Sequence, residues 1–88
     1  MTRIEGLSLY QFAGCGWCAM VHRTLGQLAV EIDQRDIFDD GEHMRALVEA
    51  TGRQTVPCLR IEEEGGERWM HESSVIIAYL NERFGAPA

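Results

Sequence analysis

The sequence predicts an α/β domain with a four-stranded mixed sheet and three helices, in the chain order βαβαββα. An apolar run followed by a helical stretch and a second strand-like run predicts a βαβ unit, whose crossover is long enough to join parallel strands. Near the C-terminal end, two strand-like runs flank a glycine-bearing turn and predict an antiparallel hairpin. An amphipathic helix follows, and we expect residues 1–88 to form a single domain.

The first three elements form the βαβ unit. The apolar run from Leu7 to Phe12 predicts a short buried strand, and the segment from Trp17 to about Ala29 predicts a helix. The apolar stripe expected along this helix consists of Trp17, Val21, Leu25 and Leu28. Alternation of apolar and acidic residues from Val30 to Asp33 then predicts the second strand.

A second helix follows, and its ends are marked by cap residues. Asp39 and Glu42 have the spacing of a capping box at its start, and Gly52 is expected to end it. The apolar side of this helix consists of Met44, Leu47 and Val48. These signals predict a helix between the second and third strands.

The rest of the chain completes the sheet. The segment from Thr55 to Ile61 predicts the third strand and Glu67 to Met70 the fourth, joined by a polar turn. The last helix is expected from about Glu72 to Phe84, ending at Gly85 before Pro87. Its inward side is expected to consist of Val75, Ile76, Tyr79 and Leu80.

Composition and charge narrow the function classes. Hydrophobic residues make up 45% and charged residues 25%, as in ordinary globular domains. The net charge is −6, from 14 acids and 8 bases that are all Arg, so we expect no binding to nucleic acid. The sequence contains no long apolar span, so we expect no membrane insertion. An odd number of cysteines without a signal-like N-terminus favours a reducing, cytoplasmic compartment.

Two thiols three positions apart are the most informative feature of the chain. Cys15 lies just before the first helix, where unpaired backbone N–H groups and the positive end of the helix dipole favour a thiolate. Cys15 is therefore the candidate nucleophile. Cys18 is the candidate resolving thiol, because residues at i and i+3 share one side of a helical turn.

The alternatives to redox chemistry are a metal site or an inert pair. The two thiols supply at most two ligands, whereas a structural zinc site needs four. The other potential donors, which match no compact zinc pattern, are Cys58, His22, His43 and His71. We therefore predict no metal site. Cys58 is expected to be a small buried residue, with a regulatory thiol as the alternative.

Three motifs together resemble those of the glutaredoxins, a family of the thioredoxin-like superfamily, over nearly the whole chain. Cys15-Gly16-Trp17-Cys18 follows the first strand, Thr55-Val56-Pro57 opens the third, and Glu72-Ser73 opens the last helix. The third motif is more similar to that of the N-terminal domain of glutathione S-transferases than to the glycine-rich motif of many glutaredoxins. The resemblance implies a thioredoxin-like fold and glutathione as co-substrate.

The resemblance also implies where glutathione binds. A cis bond between Val56 and Pro57 would turn the backbone of Val56 toward Cys15, where it pairs with the cysteine of glutathione. With a trans bond the proline would merely start the strand. Ser73 would hold the γ-glutamyl carboxylate and Glu72 the amino group, whereas the alternative is that both residues only cap the helix.

The glycyl carboxylate of glutathione requires a cation, and at this point the sequence departs from the family. Phe12 and Gln54 stand where many glutaredoxins have basic residues. Arg53 is the candidate substitute, with Gln54 and Gln11 as neutral donors, and its alternative role is an ordinary solvent-facing charge. Trp17 is expected either to cover the disulfide or to pack on the helix.

The activity implied by the resemblance is reduction of protein-glutathione mixed disulfides through Cys15, with Cys18 or glutathione completing the cycle. The partners would be glutathione and glutathionylated or disulfide-containing proteins, and the chain would act as a monomer. One alternative is a dimer bridged by a [2Fe–2S] cluster, with Cys15 and glutathione thiols as ligands, because Gly16 replaces a common proline. Another is a transferase-like module that holds glutathione without turnover.

Overall fold

The computed structural model describes residues 1–85. The elements in chain order are β1 (Thr2–Gln11), α1 (Gly16–Leu28), β2 (Val30–Asp36), α2 (Gly41–Thr51), β3 (Cys58–Glu63), β4 (Gly66–His71) and α3 (Ser73–Phe84). The sheet order is β2-β1-β3-β4, with β1 parallel to β2 and antiparallel to β3, and β3 antiparallel to β4. The predicted mixed sheet, the three helices and their order βαβαββα are confirmed. This is the topology of a thioredoxin-like fold.

The helices described above are too short or too polar to span a lipid bilayer. Within residues 1–85, none of them has both the length and the apolar character needed to cross a membrane. Pro87, expected just after the last helix, lies outside the described residues.

Apolar side chains fill both faces of the sheet. Neighbouring residues on a strand point to opposite faces, so the paired residues Leu9 and Leu59 lie on one face and Tyr10 and Cys58 on the other. The larger cluster packs between the sheet and the helices α1 and α3, and its buried members are Leu7, Leu9, Val21, Leu25, Val30, Ile32, Leu59, Ile61, Ile76 and Leu80. The smaller cluster includes Leu47 of α2, and its buried members are Tyr10, Ile37, Leu47 and Cys58.

The first strand is longer than predicted, because its N-terminal half is exposed and lacks an apolar run. Thr2 pairs with Val30, and the register with β2 then shifts between Arg3 and Ser8. Gly6 lies within this irregular stretch with a φ of +87°, a conformation that glycine adopts without steric cost. The sequence pattern therefore identified only the buried half of β1.

The first two helices correct two sequence predictions. Trp17 is 65% exposed, so its place on the buried stripe of α1 is wrong, and Cys18 is the first buried residue of the helix. The N-cap of α2 is Asp40 rather than Asp39, and its side chain accepts a hydrogen bond from the backbone N–H of Glu42. The predicted end of α2 is confirmed, since Gly52 is a left-handed C-cap with a φ of 71°.

The strands in the second half of the chain also differ from their predicted boundaries. β3 begins at Cys58 rather than Thr55, and β4 extends one residue beyond the prediction at each end. In α3, Val75 is 48% exposed whereas Ile76 is fully buried, so the inward position predicted for Val75 is wrong.

Two adjacent residues of α3 provide a test of how the helix is oriented. Ile76→Ala removes a side chain from the main core and should lower the free energy of unfolding by about 2–5 kcal/mol. Val75→Ala, the matched control, should change it by less than about 0.5 kcal/mol because Val75 is about half exposed and lies outside the main core. Urea unfolding measures both values, and equal losses would contradict the orientation of α3.

Candidate active site

The Cys15 sulfur lies at the N-terminal end of α1. Cys15 is the N-cap residue, and its Sγ accepts a hydrogen bond from the backbone N–H of Cys18 at 3.3 Å. The Cys15 N–H donates to the carbonyl of Phe12 at 3.2 Å, which fixes the turn before the helix. The side chain is partly exposed, so its sulfur combines access with stabilisation by backbone N–H groups.

The other two thiols are buried. Burial, together with a side-chain hydrogen bond with Cys15, raises the pKa of Cys18 to about 12. Burial also raises the pKa of Cys58 to about 11. Both thiols therefore keep their protons at neutral pH, and Cys58 has the small buried position expected from the sequence. Only Cys15 among the three is accessible.

A cleft with a volume of about 360 Å³ lies beside the start of α1. Its lining residues are Trp17, Met20, Thr55, Val56, Pro57, Glu72, Ser73 and Ser74. Five of the eight predicted glutathione-contact residues are among them, whereas Gln11, Arg53 and Gln54 are not. Cys15 does not line the cleft either but is two residues from Trp17. The structure thus brings parts of all three motifs to one cavity.

The middle of the cleft is formed by the segment before β3. The peptide bond between Val56 and Pro57 is cis, as the resemblance implied. Pro57 is buried, and the ladder begins one residue later, where Cys58 pairs with Tyr10 and with His71. Thr55 and Val56 therefore precede the paired strand.

The start of α3 forms another part of the cleft. Glu72 is the N-cap residue and makes no side-chain cap hydrogen bond, and Ser73 is the first helical residue. The side chain of Glu72 therefore does not cap the helix through a hydrogen bond. Glu72 has a φ of 75°, which is uncommon for a residue with a side chain. Such positions concentrate at functional sites.

Arg53 lies outside the cleft lining, yet its charge acts near the start of α3. Burial is the main cause that lowers the pKa of His71, and the nearby positive charge of Arg53 lowers it further. His71 directly precedes Glu72, and its Nε2 lies 3.8 Å from the Sγ of Cys58. Within residues 1–85, Arg53 forms no salt bridge. Its guanidinium therefore has no acidic side-chain partner among these residues and can attract an anion.

Two of the residues predicted to contact glutathione, Gln11 and Gln54, do not line the cleft. Gln11 is the last residue of β1 and pairs with Asp36 of β2, and Gln54 is exposed. Sequence reasoning missed three cleft residues, Met20, Thr55 and Ser74. Met20 lies three positions after Trp17 on the exposed side of α1, a spacing that could have identified it. Thr55 belongs to the recognised motif Thr55-Val56-Pro57, and Ser74 directly follows Glu72-Ser73.

The donor set for a metal is small. Across the described part of the chain, no three His, Cys, Asp or Glu side chains are grouped so that they could hold a metal ion. Cys15 is the accessible thiol, so one chain can offer one thiolate to a [2Fe–2S] cluster. Such a cluster is held by four ligands, and the other three would have to come from elsewhere.

The sequence and the fold are both similar to those of known proteins. A family model described as Glutaredoxin matches residues 7–65. The chloroplastic Glutaredoxin-C4 of Oryza sativa subsp. japonica is 34% identical over 76 residues, which cover 77% of this chain and 57% of that protein. The chain thus spans a little over half the length of this curated relative.

Solved structures of glutathione-related enzymes have the same fold over most of this chain. The trimeric glutathione transferase TDR1 of Leishmania superposes with a TM-score of 0.73 at 28% identity, covering 89% of this chain and 18% of that one. Maleylacetoacetate isomerase from Anaeromyxobacter dehalogenans, with bound dicarboxyethyl glutathione and citrate, has a TM-score of 0.70 at 25% identity. That match covers 93% of this chain and 38% of the isomerase.

The different burial of the three thiols predicts selective alkylation. Iodoacetamide at neutral pH should modify Cys15 in the folded protein and leave Cys18 and Cys58 intact, because the latter are buried and protonated. Peptide mass spectrometry locates the adducts, and denatured protein, in which all three thiols should react, is the control. Modification of Cys18 or Cys58 at the rate of Cys15 would contradict this structure of the site.

Proposed function

Because this chain belongs to the glutaredoxin family, we propose that it is a glutathione-dependent thiol-disulfide oxidoreductase that reduces mixed disulfides between proteins and glutathione. The observation that carries the proposal is the asymmetric thiol pair beside the cleft. Cys15 Sγ is partly exposed and accepts a backbone N–H, whereas Cys18 is buried and protonated. This asymmetry supports Cys15 as the attacking thiol.

In the first step, the Cys15 thiolate attacks the glutathione sulfur of the mixed disulfide. The bond between that sulfur and the substrate protein breaks, a disulfide between Cys15 and glutathione forms, and the substrate thiolate leaves and takes a proton from solvent. The N–H of Cys18 stabilises the Cys15 anion before attack and again when it departs. A stable leaving thiolate speeds the second half of the cycle.

The cleft would hold the glutathione half of the substrate. The backbone of Val56 would pair with the cysteine of glutathione, and the first N–H groups of α3 together with Ser73 would bind the γ-glutamyl carboxylate. Glu72 would bind the amino group, and Arg53 would attract the glycyl carboxylate. The 25% identical isomerase, which binds a glutathione derivative in the same fold, supports this assignment.

The burial of Cys18 favours regeneration by a second glutathione. Burial raises the pKa of Cys18 to about 12, so this thiol keeps its proton at neutral pH and is a poor nucleophile. A glutathione thiolate from solvent therefore attacks the glutathione sulfur bound to Cys15, glutathione disulfide forms, and Cys15 leaves as a thiolate. Cys18 then serves as a slower, internal route.

A second candidate is a module that binds glutathione without turnover. It is favoured by the likeness of the fold to glutathione transferases and by the Glu72-Ser73 motif. Both candidates require the cleft to bind glutathione, but only the oxidoreductase requires Cys15 to react.

Single cysteine variants separate the two routes and the two candidates. We expect Cys15→Ser to lower the rate of release of glutathione from a glutathionylated peptide by more than about 10³-fold, because it removes the nucleophile. Cys18→Ser should keep the rate within about threefold, because glutathione completes the cycle. Production of glutathione disulfide measures both.

Two outcomes of this assay would contradict the proposal. Equal loss in both variants would establish an obligatory dithiol route. Binding of glutathione by the wild-type protein without any release of peptide thiol would favour the non-catalytic module.

The role of Arg53 is tested by binding to Cys15→Ser protein, which cannot react. Arg53→Gln should weaken binding of glutathione about tenfold, since a charged partner of the glycyl carboxylate is lost. Arg23→Gln is the matched control, because Arg23 is also exposed and forms no salt bridge among residues 1–85. Titration calorimetry measures both constants, and equal effects would reject the assignment to Arg53.

A further inference from the structure

The loop that carries Cys15 is held by contacts to another loop. This redox loop comprises residues 12–15, between β1 and α1. The backbone N–H of Ala13 donates to Oδ2 of Asp36 at 3.3 Å. The ring of Phe12 packs against the ring of Phe38, with centroids 5.2 Å apart and planes inclined at 58°. These contacts lead to the last residue of β2 and to the segment that follows it.

Asp36 connects the two loops through one carboxylate. Its Oδ1 accepts the backbone N–H of Phe38 at 2.8 Å and that of Asp39 at 3.2 Å, while its Oδ2 accepts the N–H of Ala13. Asp36 is also the last residue of β2 and pairs with Gln11 at the end of β1. The carboxylate therefore fixes both loops at the point where the two parallel strands end.

We propose that Asp36 is a positioning residue for Cys15, an inference that rests on the proposed function. Among the hydrogen bonds of residues 1–85, the carboxylate makes none to Cys15 and acts through two paths. The first path is the hydrogen bond from Ala13. In the second path, Asp36 positions Phe38, whose ring packs against that of Phe12. The carbonyl of Phe12 in turn accepts the N–H of Cys15. Attack on a disulfide requires the sulfur to be placed to within a fraction of an ångström.

A purely electrostatic role for Asp36 predicts the opposite result. A carboxylate near the thiolate would repel it, so removal of the charge would make Cys15 more reactive. Removal of a positioning contact should instead slow turnover while the intrinsic reactivity of the thiol is kept. The sign of the change in turnover therefore distinguishes the two roles.

Asp36→Asn separates these effects, because asparagine has the same shape but only one acceptor oxygen. Whichever way the amide is oriented, its NH₂ group faces backbone N–H donors of one loop and loses those hydrogen bonds. Asp39→Asn is the matched control, with the same change of charge in the same loop and a side chain that makes no hydrogen bond within residues 1–85.

We expect Asp36→Asn to lower kcat for deglutathionylation by about tenfold or more, with KM within about twofold of the wild-type value. The rate of Cys15 alkylation should not fall. Hydrogen exchange at the Ala13 amide should become about tenfold faster when its partner is lost. Asp39→Asn should leave all four quantities unchanged.

The inference is overturned if Asp36→Asn turns over at the wild-type rate, or if alkylation and kcat fall by the same factor. If Asp36→Asn does not fold, Phe38→Ala decides, since it removes the ring contact at a side chain that is 71% exposed. An unchanged kcat in that variant overturns the inference. Absence of turnover in the wild-type protein rejects the proposed function instead, and the Ala13 exchange rate then decides whether Asp36 holds the loop.

Discussion

The site depends on the hydrogen bond from the backbone N–H of Cys18 to the Sγ of Cys15 at the start of α1. A helix leaves its first N–H groups without intrahelical partners, and here a sulfur takes the position that an oxygen usually has at an N-cap. A sulfur in this position gains more from these donors as an anion than as a thiol. The same three-residue spacing directs Cys18 into the core, where burial keeps its proton in place.

This hydrogen bond is useful only because the sheet fixes the surrounding segments. β1 delivers the redox loop, β3 begins directly after Pro57, and β4 ends directly before Glu72. Pairing of β3 with both β1 and β4 thus holds the cleft segments in a fixed arrangement beside α1. The residues that would bind glutathione therefore come from three separate parts of the chain, and the core of the fold sets their distances.

The sequence was sufficient for the topology and for the motifs but not for the orientation of individual side chains. Cap signals worked where one residue type has a strong conformational preference, as with Gly52 at the end of α2. Helical periodicity placed Trp17 and Val75 inward, whereas both are exposed, because an apolar residue at the edge of a stripe has either option. The predicted roles of Glu72 and Arg53 depended on packing between distant segments, which a single sequence does not encode locally.

The fold alone does not distinguish a glutaredoxin from the transferases that it resembles, since similar cleft segments can bind glutathione in either. The distinction lies at the first turn of α1, where this chain has an accessible thiol and a buried one. If a side chain at this turn only oriented the thiol of bound glutathione, glutathione itself would be the nucleophile toward a second molecule. A protein sulfur at the same place would instead exchange with a mixed disulfide that contains glutathione, which is the reduction proposed for this chain.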